Sequence, residues 1–174
     1  MNAEQLRELQ APFKTRYRED PQAANIILKA HGKLGDDNLT CKIETGKGMV
    51  EAGLHPATGG TGMQACSGDM LLEALVACAG VTLKAVATAI GVELRGGTVS
   101  AECLIDMSGT LGVKKEALVG LQDIKLRFDL DTDADSEQFK TLQKLTERYC
   151  VIFQTLQTPP RLAVTLNTHP NGGG

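Results

Sequence analysis

Apolar positions in this chain repeat with two periods, and the two periods separate predicted strands from predicted helices. Between Ile124 and Leu130 every second residue is apolar and the residues between them are charged. This alternation is typical of a strand that buries one face. Similar patterns bounded by turn residues predict six strands, over 23–31, 38–44, 47–54, 97–106, 119–130 and 161–168.

Apolar residues spaced three and four positions apart predict the helices. A charged helix opens the chain, a long apolar helix ends at Gly91, and an amphipathic helix near the end is followed by a short one. The predicted helices span 3–18, 67–91, 136–149 and 150–157. Loops are predicted over 55–62 and 107–117, and residues 171–174 are predicted to be a disordered tail.

The helix predicted over 67–91 carries few charges, and these fall on one narrow stripe formed by Asp69, Glu73 and Lys84. The rest of its surface is apolar, so we expect the helix to be buried around most of its circumference, with Cys78 pointing inward. The three charges also argue against a membrane span.

Composition limits the classes of function. At 174 residues the chain is long enough for one domain with a real core, and aromatic residues make up only 3%, so that core is aliphatic. A formal net charge of -3 gives no electrostatic reason to expect a nucleic-acid partner. No secretory leader is recognised, and we expect a cytoplasmic protein without a membrane partner.

The five cysteines have no CxxC pair and no Cys/His cluster at metal-ligand spacing. An odd number of cysteines without such pairs is typical of proteins in a reducing compartment. We expect no metal and no organic cofactor. Cys41 and Cys103 occupy the apolar phase of predicted strands and are interpreted as core residues. Cys66 precedes the long helix, where it is either a plain loop residue or a thiol with a lowered pKa.

Cys78 and Cys150 occupy positions that core packing explains less well. Cys78 lies halfway along the apolar helix, and Cys150 ends the amphipathic helix two residues after Arg148. A thiol in a buried helix and a second thiol beside an arginine are the parts that a thiol redox cycle needs. From the residues alone, Cys78 is either such a nucleophile or a small apolar filler of the core.

These two cysteine segments resemble the OsmC/Ohr family of bacterial peroxide-detoxifying proteins. The resemblance rests on the helix segment 71–82, on the segment 148–151 followed by 154–156, and on the order of strands and helices. It covers roughly 23–168 of a single domain 1–174, and leaves residues 1–20 as an extra N-terminal helix.

The resemblance implies an α+β fold in which a long helix packs on curved antiparallel sheets and two chains intertwine as a homodimer. It implies that Cys78 attacks the O–O bond of a peroxide and becomes a sulfenic acid. It also implies that Cys150 resolves this acid as a disulfide, which a dithiol of lipoyl type then reduces. The low aromatic content and the aliphatic helix face indicate an apolar pocket, which favours organic hydroperoxides, alkyl or lipid, over hydrogen peroxide.

The chain departs from the family pattern at the positions that would supply charge. The family's glutamate ten residues before the first cysteine is Gly68 here, with Asp69 next to it. Family members also use an arginine upstream of the helix to stabilise the thiolate, but no arginine occurs here between Arg18 and Arg95. The proline that usually follows the second cysteine is Val151. Without a nearby cation, a buried thiol has a raised pKa and reacts slowly.

Three residues are candidates for the missing support. His55 and Arg148 are predicted to stabilise a Cys78 thiolate, and Asp69 is predicted to orient a cation in place of the glutamate. If no such group is present, two other functions stay open. One is a weakly active or non-catalytic scaffold that binds a small apolar ligand or a partner, and the other is a thiol redox sensor.

Overall fold

A computed structural model of the chain describes residues 2–20, 25, 31–34, 40–45 and 48–167. The helices are α1 (Ala3–Glu19), α2 (Ser67–Ile90), α3 (Met107–Thr110), α4 (Ser136–Tyr149) and α5 (Val151–Gln157). The strands are β1 (His31–Leu34), β2 (Thr40–Thr45), β3 (Gly48–Gly53), β4 (Ala65–Cys66), β5 (Gly96–Ile105) and β6 (Leu121–Asp131). A 3₁₀ turn spans Pro56–Thr58.

The described strands form two sheets. In the first, β1, β2 and β3 are antiparallel neighbours, and β4 joins the edge of β3 in parallel. In the second, β5 pairs with β6 antiparallel, with a bulge between Glu102 and Leu104. Helix and sheet occur together, which confirms the predicted α+β class at this level.

Helix α2 lies at the centre of the described structure and packs against α1, β4, β5, α4 and α5. It ends because Gly91 adopts a left-handed conformation with φ 75°, and the Gly91 N–H closes the last turn. At Gly80 the helix comes close to β5, since an added Cβ would lie 3.5 Å from Val99 Cγ2. The central position of α2 holds Cys78 against the second sheet and the C-terminal helices.

Buried side chains form two clusters along α2. One contains Leu83, Val86, Ala87, Val92 and Leu142, and the other contains Leu75, Ala79 and Cys150. Partly buried residues of β6 pack against both clusters. Cys150 is therefore part of the apolar core, and Cys78 packs against the same cluster.

Most predicted elements are confirmed within a few residues: the helices over 3–18, 67–91, 136–149 and 150–157, and the strands over 38–44, 47–54, 97–106 and 119–130. Helix α1 continues through Pro12 and begins at a capping box between Asn2 and Gln5. The strand predicted over 23–31 falls mostly outside the described residues, as does the predicted tail over 171–174.

Local sequence reasoning was wrong at two short elements. The short strand β4 was not predicted. The loop predicted over 107–117 begins with α3, because the Asp106 carboxylate caps it by accepting a hydrogen bond from the Ser108 N–H at 2.9 Å.

The final strand predicted over 161–168 is also wrong for the part that the structure describes. Residues 161–167 form no strand ladder, and Leu162, Val164 and Leu166 are 88–89% exposed. The apolar alternation is present, but a strand also needs a neighbouring backbone to pair with.

The prediction that α2 is buried around most of its circumference is wrong for the single chain. Val81 is 72% exposed and Leu71 is 39% exposed, because the elements that pack on α2 leave this stripe uncovered. By length and composition alone α2 could cross a membrane, as core helices of soluble proteins also could. Its packing against five other elements favours the core-helix interpretation.

Candidate active site

Cys150 is the single residue that joins α4 to α5. Its N–H donates to the Thr146 carbonyl at 2.9 Å and ends α4, and its carbonyl accepts from the Gln154 N–H at 3.0 Å and starts α5. Because its own backbone is extended (φ -72°, ψ 107°), the chain changes direction at this residue. This turn directs the start of α5 toward the middle of α2.

The Cys150 thiol lies beside the Cys78 sulfur, in the same core cluster, and lowers the pKa of the Cys78 thiol. Both cysteines are reduced in this structure. Only 1% of Cys150 is exposed, whereas Cys78 is half-buried. The thiol redox cycle requires Cys78 and Cys150 to be neighbours, and in the structure they are.

Backbone N–H groups at the start of α5 surround the two sulfurs. The first N–H groups of any helix have no partner within that helix. Here those of Ile152 and Val151 lower the pKa of the Cys78 thiol, and those of Phe153 and Ile152 act in the same direction on the Cys150 thiol. The direction change at Cys150 thus supplies donors where the family pattern uses a cation.

The Thr82 hydroxyl is the side-chain donor that α2 itself contributes to Cys78. Residues four apart on a helix lie on the same face, one turn from each other. This spacing places Thr82 on the Cys78 side of the helix, but the sequence analysis did not identify it as a donor. The signal that could have identified this donor is a threonine four residues after the cysteine.

The environment moves the two pKa values in opposite directions. Partial burial alone would raise the pKa of Cys78, but hydrogen bonds from the Ile152 N–H, the Cys150 thiol, the Val151 N–H and the Thr82 hydroxyl lower it. Burial raises the pKa of Cys150, and the neighbouring Cys78 raises it further against the opposing amides. Cys78 is therefore the thiol that ionises first, while Cys150 keeps its proton.

An ionised thiol beside a neutral one suits two-step thiol chemistry. The thiolate is the nucleophile. The protonated neighbour stabilises that thiolate and packs beside it, where it can attack an oxidised Cys78 to form a disulfide.

The predicted supporting residues contact other groups. His55 caps the 3₁₀ turn, where its Nδ1 accepts a hydrogen bond from the Ala57 N–H at 3.0 Å. The Arg148 guanidinium lies over the Tyr149 ring, 5.7 Å from its centroid. Asp69 is exposed in the first turn of α2. Within the described residues, the groups that set the Cys78 pKa are α5 amides, Thr82 and Cys150.

The other cysteines lie apart from this pair. Cys66 is the N-cap of α2 and makes no side-chain capping hydrogen bond. Twelve residues of helix separate it from Cys78, about 18 Å along the axis. Cys103 is half-buried on β5 beside the bulge. Cys41 belongs to β2, and its side chain lies outside the described residues.

Comparison with known families decides the relationship. Residues 60–165 match the family model described as OsmC-like protein, which is more than half of the chain. The chain belongs to the OsmC-like protein family. The resemblance seen in the two cysteine segments is thereby confirmed, and both Cys78 and Cys150 lie inside the matched region.

Solved structures of other OsmC-like proteins share the fold. An OsmC-like protein from Mycoplasma pneumoniae is 17% identical with a TM-score of 0.64, over 78% of this chain and 90% of that one. An organic hydroperoxide resistance protein from Elizabethkingia anophelis, with crystallant-derived thiocyanate bound, is 17% identical with a TM-score of 0.61, over 78% and 91%.

A third structure, of an organic hydroperoxide resistance protein OsmC from Legionella pneumophila, is 12% identical with a TM-score of 0.54, over 77% of this chain and 93% of that one. At such identities these structures establish a common fold and no more. No curated protein sequence matches the chain.

Proposed function

We propose that this protein is a cysteine-dependent peroxidase that reduces organic hydroperoxides. The observation that supports this function best is the contact between Cys78 and Cys150, in which one thiol has a lowered pKa and its partner a raised one. Proteins named for organic hydroperoxide resistance share its fold. Membership of the OsmC-like family supports the same reaction class.

The proposed reaction uses both thiols in turn. The Cys78 thiolate attacks the terminal oxygen of the hydroperoxide, the O–O bond breaks, and Cys78 becomes a sulfenic acid. The Cys150 thiol gives its proton to the leaving alkoxide, which departs as an alcohol. The Cys150 thiolate then attacks the Cys78 sulfur and, with one proton from solvent, releases water and forms the disulfide.

The surroundings of the pair favour apolar substrates and reductants. The neighbours of the pair include Leu75, Ala79, Ala101 and Ile152, which are all aliphatic. An alkyl or lipid hydroperoxide gains apolar contact there that hydrogen peroxide does not. We further propose a dithiol reductant of lipoyl type, a homodimeric assembly and a cytoplasmic location.

A peroxide consumption assay tests the function. Purified protein with dihydrolipoamide is given tert-butyl hydroperoxide or hydrogen peroxide, and the peroxide remaining is measured. We expect turnover of the organic peroxide to be lost in Cys78→Ser and in Cys150→Ser, and retained in the matched control Cys103→Ser. Full turnover by Cys78→Ser would rule the proposal out.

A further inference from the structure

The joint between α4 and α5 is a single residue, Cys150. Its N–H completes the last turn of α4 and its carbonyl starts the first turn of α5, so neither of these hydrogen bonds fixes one helix relative to the other. Helix α5 has only seven residues, which is too short for a helix to be stable alone. The direction of α5 therefore depends on contacts that cross the joint.

The side chain of Gln154 makes such a contact. Its Nε2 donates a hydrogen bond of 2.8 Å to the backbone carbonyl of Glu147, which lies in the last turn of α4. Carbonyl groups at that end of a helix have no partner within the helix. In the described part of the chain, which includes all of α4 and α5, no other side-chain hydrogen bond links these two helices. Gln154 thus connects α5 to α4 across Cys150.

Apolar contacts hold α5 in a less directional way. Ile152, Phe153 and Leu156 are partly buried and pack against the core cluster that contains Cys150. Apolar attraction has no preferred direction, so these contacts keep α5 on the core without selecting one angle to α4. A hydrogen bond weakens steeply when its donor angle changes, so the bond of Gln154 selects that angle.

We propose that Gln154 is a positioning residue, which through the Glu147 carbonyl fixes the angle of the joint and so keeps the Cys150 thiol and the first turn of α5 beside Cys78. The Gln154 side chain is exposed and acts through the joint rather than on the sulfurs. This inference rests on the proposed function, in which the Cys78 thiolate is the nucleophile and Cys150 resolves its sulfenic acid.

Loss of this hydrogen bond should affect both thiols. Helix α2 holds Cys78, whereas Cys150 and the first amides of α5 belong to the joint, so a change of angle moves them relative to the Cys78 sulfur. These groups lower the pKa of Cys78, and a looser joint should therefore raise that pKa. The same motion leaves Cys150 less often in place to attack an oxidised Cys78.

Gln154→Leu tests this role, because leucine has a similar size and no donor. The residue is exposed, so the fold should be unchanged by circular dichroism. The substitution adds no charge, and Cys150, the titratable neighbour of Cys78, is kept. We expect the pH midpoint of Cys78 alkylation by iodoacetamide to rise by about 0.3 to 0.5 pH unit, which is a two- to threefold lower thiolate fraction below the midpoint.

Gln157→Leu is the matched control. It makes the same substitution at an exposed position of α5 and removes only the longer hydrogen bond of 3.4 Å to Gln154. Its alkylation midpoint should equal that of the wild type. Gln154→Asn is a second uncharged variant, whose amide is one methylene group too short to keep the bond to the Glu147 carbonyl, and it should behave like Gln154→Leu.

Trapping of the sulfenic acid measures the effect on Cys150. The reduced protein receives one equivalent of tert-butyl hydroperoxide together with dimedone, which labels sulfenic acids, and the label on Cys78 is measured by mass spectrometry. A misplaced Cys150 attacks the sulfenic acid more slowly. We expect about twofold more label on Cys78 in Gln154→Leu than in the wild type or in Gln157→Leu.

Two results would overturn the role of Gln154 and leave the peroxidase function intact. One is an alkylation midpoint in Gln154→Leu that equals that of the wild type or of Gln157→Leu. The other is equal dimedone labelling in a wild type and a Gln154→Leu variant that both consume the peroxide. The midpoint does not depend on peroxide, so a raised midpoint in a protein that consumes no organic hydroperoxide would contradict the proposed function and support the positioning role.

Discussion

The Cys150 thiol packs beside Cys78 and lowers the pKa of the Cys78 thiol, although the two residues are separated by two strands and two helices along the chain. The contact depends on two features. The central helix α2 holds Cys78 against the second core cluster, and the extended backbone of Cys150 turns α5 toward it. The same turn places the first amides of α5 around both sulfurs.

The Thr82 hydroxyl lowers the pKa of Cys78, so its removal should raise that pKa. In Thr82→Val we expect an upward change of about half to one pH unit, the value of one hydrogen bond. The thiolate fraction rises with pH through the pKa, so the rate of Cys78 alkylation should reach half its maximum at a higher pH than in the wild type. Iodoacetamide labelling between pH 5 and 10, read by mass spectrometry, measures this midpoint.

Thr88→Val is the matched control for this experiment. Its hydroxyl donates to the Lys84 carbonyl at 2.8 Å, so it lies on the same helix but serves the backbone. The alkylation midpoint of Cys78 should not move in this variant. If the wild type and Thr82→Val have equal midpoints, the Thr82 hydroxyl does not lower the Cys78 pKa.

The Val151 amide gives a direct test of backbone stabilisation. Val151→Pro removes the N–H that bonds Cys78, and proline is favoured at the first position of a helix. The preceding Cys150 is already extended at ψ 107°, close to the conformation required before proline. We therefore expect an unchanged fold by circular dichroism and a raised Cys78 pKa.

The matched control for the amide is Val151→Ala. This variant keeps the N–H and removes most of a side chain that is already 65% exposed. Its alkylation midpoint should equal that of the wild type. If Val151→Pro and Val151→Ala behave alike, the amide of residue 151 does not set the Cys78 pKa.

The sequence pointed to His55 and Arg148 as the positive or hydrogen-bonding groups that stabilise a Cys78 thiolate, so that their removal would slow its reaction. The geometry favours the opposite result. His55 bonds the Ala57 amide and Arg148 lies over Tyr149. We expect His55→Ala and Arg148→Ala to leave the alkylation midpoint of Cys78 unchanged. A clear upward change in either variant would restore that residue as the support of the thiolate.

The Cys78–Cys150 pair was predictable because both thiols lie in recognisable helical segments and because the order of elements resembles one family. The source of thiolate stabilisation was not predictable in the same way. Sequence reasoning searches for charged side chains, whereas the donors here are backbone N–H groups whose direction depends on the turn at Cys150.

The strand predicted over 161–168 failed for a similar reason, because strand pairing depends on tertiary structure. Alternation identified the segment as a strand, but pairing depends on a backbone that local sequence does not specify. The exposed Val81 on α2 is a similar case, since helical periodicity predicts an apolar face without identifying what covers it.

These uncovered apolar surfaces support the proposed homodimer. Leu162, Val164 and Leu166 alternate on an extended segment that pairs with no described strand, and such an edge is a template for another chain. If a second copy covers this segment and the exposed stripe of α2, the interface should exceed roughly 2,000 Å² in total.

Val164→Asp tests the homodimer, because it would place an unpaired carboxylate in that interface. Burying such a charge costs several kcal/mol, so we expect the dimer dissociation constant to rise by roughly a hundredfold or more in sedimentation equilibrium. The neighbouring Thr165→Asp, on the opposite side of the alternation, should leave association nearly unchanged. A wild-type chain that sediments as a folded monomer at micromolar concentration would exclude the homodimer, and with it this explanation of the exposed segment.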